Sequence, residues 1–94
     1  MNNTITDIAY KRAILATLSS LTALAFDSAD IVTIRIEYSS SLHLVNVIVF
    51  SQFTTHRINH AVMLEADKAL EDLLKIEDDL IDLIAQYRDQ KEEA

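Results

Sequence analysis

The chain contains no glycine and no proline among its 94 residues. Glycine supplies the positive φ angles of tight turns and the close backbone approach on which phosphate-cradling loops depend. Its absence argues against nucleotide sites of the Walker, Rossmann and kinase types. A chain without either residue also favours long regular elements joined by few, simple turns.

Hydrophobic residues make up 50% of the chain and charged residues 24%, which is typical of a globular protein rather than a disordered one. The length predicts one domain, residues 1–94. The absence of cysteine excludes disulfides and thiolate chemistry. The polar N-terminus and the short apolar runs predict neither a signal peptide nor a membrane span, so we expect a cytoplasmic protein with no membrane partner.

Apolar residues recur at three- and four-residue steps in the first quarter of the chain, as they do on one buried face of a helix. Thr4 and Asp7 precede this run and are typical of an N-cap and a first-turn acid. The spacing predicts a helix from about Thr6 to Phe26. Its predicted buried face comprises Ile8, Ile14, Leu15, Leu18, Leu21, Ala25 and Phe26.

The period then changes to two, which predicts a strand over residues 31–38 with one face in solvent. The serines at 39–41 predict a hairpin connection of three to five residues, because a tight two-residue turn favours glycine. The return strand, predicted at 42–53, is apolar on both faces and is therefore expected to be covered on both. Asn46 interrupts one of these faces. Either an exposed position or a register-fixing contact across a symmetry axis would accommodate it.

The remaining third of the chain shows a regular helical pattern. One row is spaced as in a heptad seam and runs through Val62, Ala66, Ala69, Leu73, Ile76, Leu80, Leu83 and Tyr87. This pattern predicts a coiled-coil-like helix from about Asn59 to Lys91, roughly 45–50 Å long. The fold class predicted from the sequence is α+β, with a helix, a β-hairpin and a long helix in the order α-β-β-α.

Three features of this prediction favour a homodimer. A two-stranded sheet has open edges, one strand is apolar on both faces, and the long helix overhangs a strand of roughly 33 Å. Strands or helices could form the contact, and the alternative is a monomer with one helix on each face of the hairpin. The candidate interface residues are Val45, Val47, Val49, Leu73, Leu80 and Tyr87.

The net charge of −7 is confined to one part of the chain. Residues 1–64 carry four acids and four bases, whereas residues 65–94 carry eleven acids and four bases, a balance of −7. The acidic side of the predicted second helix is interpreted either as a solvated helix face or as a docking site for a basic protein. The absence of clustered Lys and Arg disfavours direct binding of nucleic acid. The candidate acidic partner-binding face comprises Glu71, Asp72, Asp78, Asp79 and Asp82.

Catalytic and metal chemistry find little support in the sequence. His56 and His60 are spaced to share a helix face, but no third ligand accompanies them, so no metal, cofactor or enzymatic activity is predicted. The leading hypothesis is a small acidic, non-enzymatic interaction or regulatory protein that acts as a homodimer. One alternative is a phage-type acidic inhibitor that imitates nucleic acid against a host enzyme. Another is a small-ligand binding module in a dimer cleft lined by Val45, Val47 and Val49.

Overall fold

The structure, a computed structural model, describes residues 4–51 and 54–93. A helix is followed by an antiparallel sheet and a second long helix, which confirms the predicted α+β order. The sheet has three strands, however, where the sequence predicted two. The elements are α1 (Thr4–Asp27), β1 (Val32–Ser39), β2 (Leu44–Ser51), β3 (Thr54–Met63) and α2 (Ala69–Glu93).

The prediction that the second helix begins at Asn59 is wrong, because residues Thr54–Met63 form β3 and pair with β2. The strand prediction over residues 42–53 is also too long, since β2 begins at Leu44 and ends at Ser51. Residues 52 and 53 lie outside the described part of the chain. At about 1.5 Å per residue, the 25 residues of α2 span about 37 Å, so the overhang is smaller than the sequence predicted.

Ser28 ends α1 without the glycine that commonly follows a helix. Its backbone N–H and its side-chain hydroxyl both donate to the carbonyl of Leu24, at 3.0 and 2.6 Å. Its own carbonyl accepts hydrogen bonds from the N–H groups of Ile31 and Val32, both at 2.9 Å. These bonds satisfy groups that a helix end leaves free and redirect the chain into β1.

β2 is the central strand and pairs antiparallel with β1 and with β3. β1 and β3 therefore run in the same direction. α1 leads into β1 and α2 follows β3, and each helix packs against that strand, so the two helices run parallel. Contacts at both ends agree with this arrangement: Tyr10 meets Leu70 near the start of α2, and Asp30 meets Arg88 near its end.

Both helices cover the same face of the sheet. The cross-strand register places Ile36, Val47 and His60 side by side on this face, and Val47 is fully buried. The face covered by the helices is thus the valine face of β2. The core beneath the helices includes Ile14, Leu21, Val32, Val45, Val47, Val49, Val62, Leu73, Ile76, Leu80, Ile84 and Tyr87.

Candidate functional site

The residues predicted to form a dimer interface are all buried within the single chain. Val45, Val47 and Leu73 are 0% exposed, and Val49, Leu80 and Tyr87 are at most 8% exposed. The valines face the helices, and the three α2 residues face the sheet and α1. These six residues are therefore not accessible to a second copy of the chain.

α1 carries an exposed apolar stripe formed by Ile8, Leu15 and Phe26. These side chains are 46%, 63% and 84% exposed, so their predicted place on the buried face of the helix is wrong. Steps of seven and eleven residues place all three on one line along the helix, about 120° away from buried Ile14 and Leu21. The signal was present in the sequence, because two separate apolar rows share α1. The three side chains lie roughly 10 and 16 Å apart along the helix axis, so a partner that covers all of them has to extend along most of α1.

At Leu15 the stripe lies beside the open edge of the sheet. Leu15 lines a surface groove together with Tyr38 of β1, which places this side of α1 next to that strand. β1 is an edge strand, and an edge strand presents unpaired backbone donors and acceptors to another chain. On the outer face of β1, Arg35 and Glu37 form a close ion pair and both side chains are about half exposed.

The outer face of the sheet is not covered by either helix. Its middle is occupied by Ile48, which is 8% exposed, and by the half-buried Phe50, on whose ring the guanidinium of Arg57 stacks at 4.6 Å. Asn46 lies on this face, where it pairs across the strands with Glu37 and Ala61 and is half-buried. β2 is thus apolar on both faces, as predicted; the helices cover only the valine face, and on the outer face Ile48 is buried without a covering helix.

The five residues of the predicted acidic face are exposed on α2. Glu71, Asp78 and Asp82 follow one line along the helix, on the side opposite the core. Lys75 approaches Asp79 at 3.2 Å, whereas within residues 54–93 no ion pair is formed by the three acids of that line. The face therefore presents negative charge with little neutralisation.

The other two cations of α2 are engaged away from this face. Arg88 and Lys91 both donate to the carboxylate of Asp30, each at 3.3 Å. Desolvation is the largest single influence on the pKa of Asp30 and raises it. The hydrogen bond from Lys91, the charge of Arg88, a backbone hydrogen bond and the charge of Lys91 all lower it, and the net result is a pKa below the ordinary value. This contact fastens the end of α2 to the turn that precedes β1.

A groove of about 770 Å³ opens between the first half of α1, the end of β1 and the segment before α2. Its apolar lining comes from Ile14, Leu15, Leu18 and Leu64, together with the rings of Tyr10 and Tyr38. Three carboxylates, from Asp7, Glu65 and Asp67, line it against one ammonium group, from Lys11. The phenol oxygen of Tyr10 accepts a hydrogen bond from Leu70 N–H at 3.2 Å, and this satisfies one free donor at the start of α2.

His43 lies at the edge of this groove in the turn between β1 and β2. Its φ angle of 52° is left-handed, a conformation that histidine adopts more readily than most residues. Its carbonyl accepts a hydrogen bond from Leu64 N–H at 2.9 Å, and its ring packs edge-on against Tyr38. The Nδ1 atom is buried without a hydrogen-bond partner among the described residues, and Glu65 Oε2 lies 3.7 Å away. The turn comprises residues 40–43, which agrees with the predicted connection of three to five residues.

The two other histidines do not share a helix, because positions 56 and 60 both belong to β3. Four residues along a strand separate two positions by roughly 13 Å, too far for one metal ion to bridge them. Across the described ranges, 4–51 and 54–93, no group of three or more metal-ligating side chains comes together. Neither α1 nor α2 is long and apolar enough to cross a bilayer.

No family model matches the sequence, and neither a curated protein nor a solved structure is significantly similar to it. The residues and their geometry are therefore the basis for a functional proposal.

Proposed function

We infer that this protein is a small acidic interaction protein without enzymatic activity, and that it acts as a homodimer through α1 and the β1 edge. The observation that carries this proposal is the exposed stripe of Ile8, Leu15 and Phe26. Complete burial of a fully exposed large apolar side chain is worth about 1.5–3 kcal/mol, and these three side chains still have 46%, 63% and 84% of their surface to bury. A second copy would bury the stripe of both chains at once.

Such a dimer would leave the acidic face of α2 free for a partner. α2 packs against β3, on the far side of the sheet from β1, so both copies would display their acids at opposite ends of the assembly. A basic protein surface complements this charge. A narrower proposal is an inhibitor that imitates nucleic acid. It would use the same acidic face of α2, and its partner would be an enzyme that acts on nucleic acid.

The proposal is tested by adding charge to the stripe. The variant Leu15→Glu with Phe26→Glu is expected to remain folded and to be monomeric, because both positions are exposed in the single chain. A variant that keeps the oligomeric state of the wild type would contradict it.

The groove supports a second candidate function, the binding of a small organic cation that carries an apolar group. Its three carboxylates against one ammonium group favour positive charge, and tyrosine rings attract cations. The carboxylate of Glu65, whose side chain is 81% exposed, is accessible to an ammonium group in the groove. Convergent polar groups over an apolar floor are typical of ligand sites.

This second function predicts that 2-phenylethylammonium binds the groove more tightly than the neutral 2-phenylethanol, as measured by titration of amide chemical shifts. Glu65→Gln with Asp67→Asn should weaken binding of the amine by roughly tenfold, an effect of about 1.4 kcal/mol. Glu71→Gln with Asp72→Asn is the matched control, because it removes the same charge outside the groove. Equal affinities for amine and alcohol, or an equal loss in the control, would rule the function out.

A further inference from the structure

We propose that β1 pairs antiparallel with β1 of a second copy, in a register centred on Ile36, so that the two sheets join into one of six strands. This inference rests on the proposed homodimer and specifies its geometry. The sheet has two open edges, but their surroundings differ. β1 lies beside α1, which carries the apolar stripe, whereas β3 lies beside α2, whose outward face carries Glu71, Asp78 and Asp82 and is flanked by the exposed Leu74 and Ile81.

The charges of β1 select this register. In a two-fold antiparallel pair centred on Ile36, residues whose numbers add to 72 lie opposite each other. Arg35 then faces the partner's Glu37, and Glu37 faces the partner's Arg35. Opposite charges directly across antiparallel strands stabilise the pair, whereas like charges destabilise it. Moving the centre by one residue, to 35 or 37, would place Arg35 opposite Arg35 or Glu37 opposite Glu37.

The same register also suits the face of β1 that lies under α1. Ile34 would lie opposite the partner's Tyr38, a combination of β-branched and aromatic side chains that is favourable across strands. Tyr38 is 53% exposed in the single chain, so it has surface to bury. Both faces of β1 are therefore self-complementary about Ile36.

The position of the α1 stripe leads independently to the same axis. Ile8 and Phe26 are equidistant from residue 17, which lies roughly 15 Å along α1 from its last residue. Ile36 lies roughly 13 Å along β1 from its first residue, which follows α1 after a short turn. A two-fold axis at Ile36 thus passes close to the middle of the stripe. It brings Ile8 near the partner's Phe26 and places Leu15 of both chains close to the axis.

A charge exchange between two variants tests this register. Arg35→Glu places glutamate at both positions, and Glu37→Arg places arginine at both, so each variant alone meets two like-charge contacts across the axis. We expect each to dimerise about tenfold more weakly than the wild type. Mixed together they should form a heterodimer with wild-type affinity, since both contacts are then of opposite sign. Native mass spectrometry distinguishes this species by its mass.

Controls separate the register from net charge. Lys75→Glu and Glu71→Arg make the same two charge changes on the exposed surface of α2 and should neither weaken dimerisation nor favour a heterodimer. The exchanged chain, with Arg35→Glu and Glu37→Arg together, should dimerise as the wild type does. Dimerisation that is unchanged in every one of these variants would overturn the register but would still support the homodimer. A monomeric wild type would overturn both.

Discussion

Replacing Leu15 and Phe26 with glutamate is expected to weaken self-association at least about 100-fold, because four apolar contacts of a symmetric interface are lost and four carboxylates must be desolvated. The fold should survive, since the two side chains are 63% and 84% exposed in the single chain and glutamate is a good helix former. Sedimentation velocity over a range of concentrations measures the dissociation constant, and circular dichroism reports the helix content.

A control variant tests whether added negative charge alone weakens self-association. Gln86→Glu with Gln90→Glu adds the same charge to exposed positions of α2, away from the stripe, and should leave the dissociation constant within about twofold of the wild type. Equal weakening in both variants would show that net charge, rather than the stripe, controls association.

Leu73→Ala is expected to lower the free energy of unfolding by about 3 kcal/mol. Leu73 is 0% exposed and belongs to the core between α2 and the sheet, so truncation leaves a cavity there. This loss is a large part of the roughly 5–15 kcal/mol that stabilises a small domain. Urea unfolding at one fixed protein concentration measures it, because dimerisation makes the midpoint depend on concentration.

The neighbouring residue supplies the control for this variant. Leu74→Ala removes the same atoms from a side chain that is 44% exposed, and should cost less than about 1 kcal/mol. Similar losses for the two variants would contradict the described orientation of α2.

Much of the architecture could be predicted from local patterns. The period of two in β1 and the spacing from Ala69 to Tyr87 in α2 identify elements whose buried faces the structure confirms. Such patterns are informative because each element buries one face against one layer.

β3 could not be recognised so easily, because the spacing of Val62, Ala66 and Ala69 continues the seam of α2 backwards into the strand. In the fold, Ile58, His60 and Val62 instead alternate with outward residues and pair with β2. Pairing with a central strand outweighed the helical spacing, as tertiary context commonly does. The two β-branched residues Thr54 and Thr55 were the local sign of a strand.

Locating a candidate surface requires knowing which apolar face of each element is buried within the chain, and the sequence alone does not determine this. Both faces of β2 are apolar, and the chain covers the face of Val45, Val47 and Val49 with its two helices. The valines were predicted to meet a partner, but they are already buried. The sequence of α1 likewise contains two apolar rows, and only the packing of that helix shows that the row of Ile14 and Leu21 is buried and that of Ile8, Leu15 and Phe26 is exposed.

The solution mass of the wild-type chain tests self-association most directly. Light scattering after size exclusion, at low and at high salt, is expected to give about twice the 10.6 kDa of one chain at both salts, because the shared surface is largely apolar. A mass of 10.6 kDa at protein concentrations up to about 1 mM, a dissociation free energy below about 4 kcal/mol, would contradict the account.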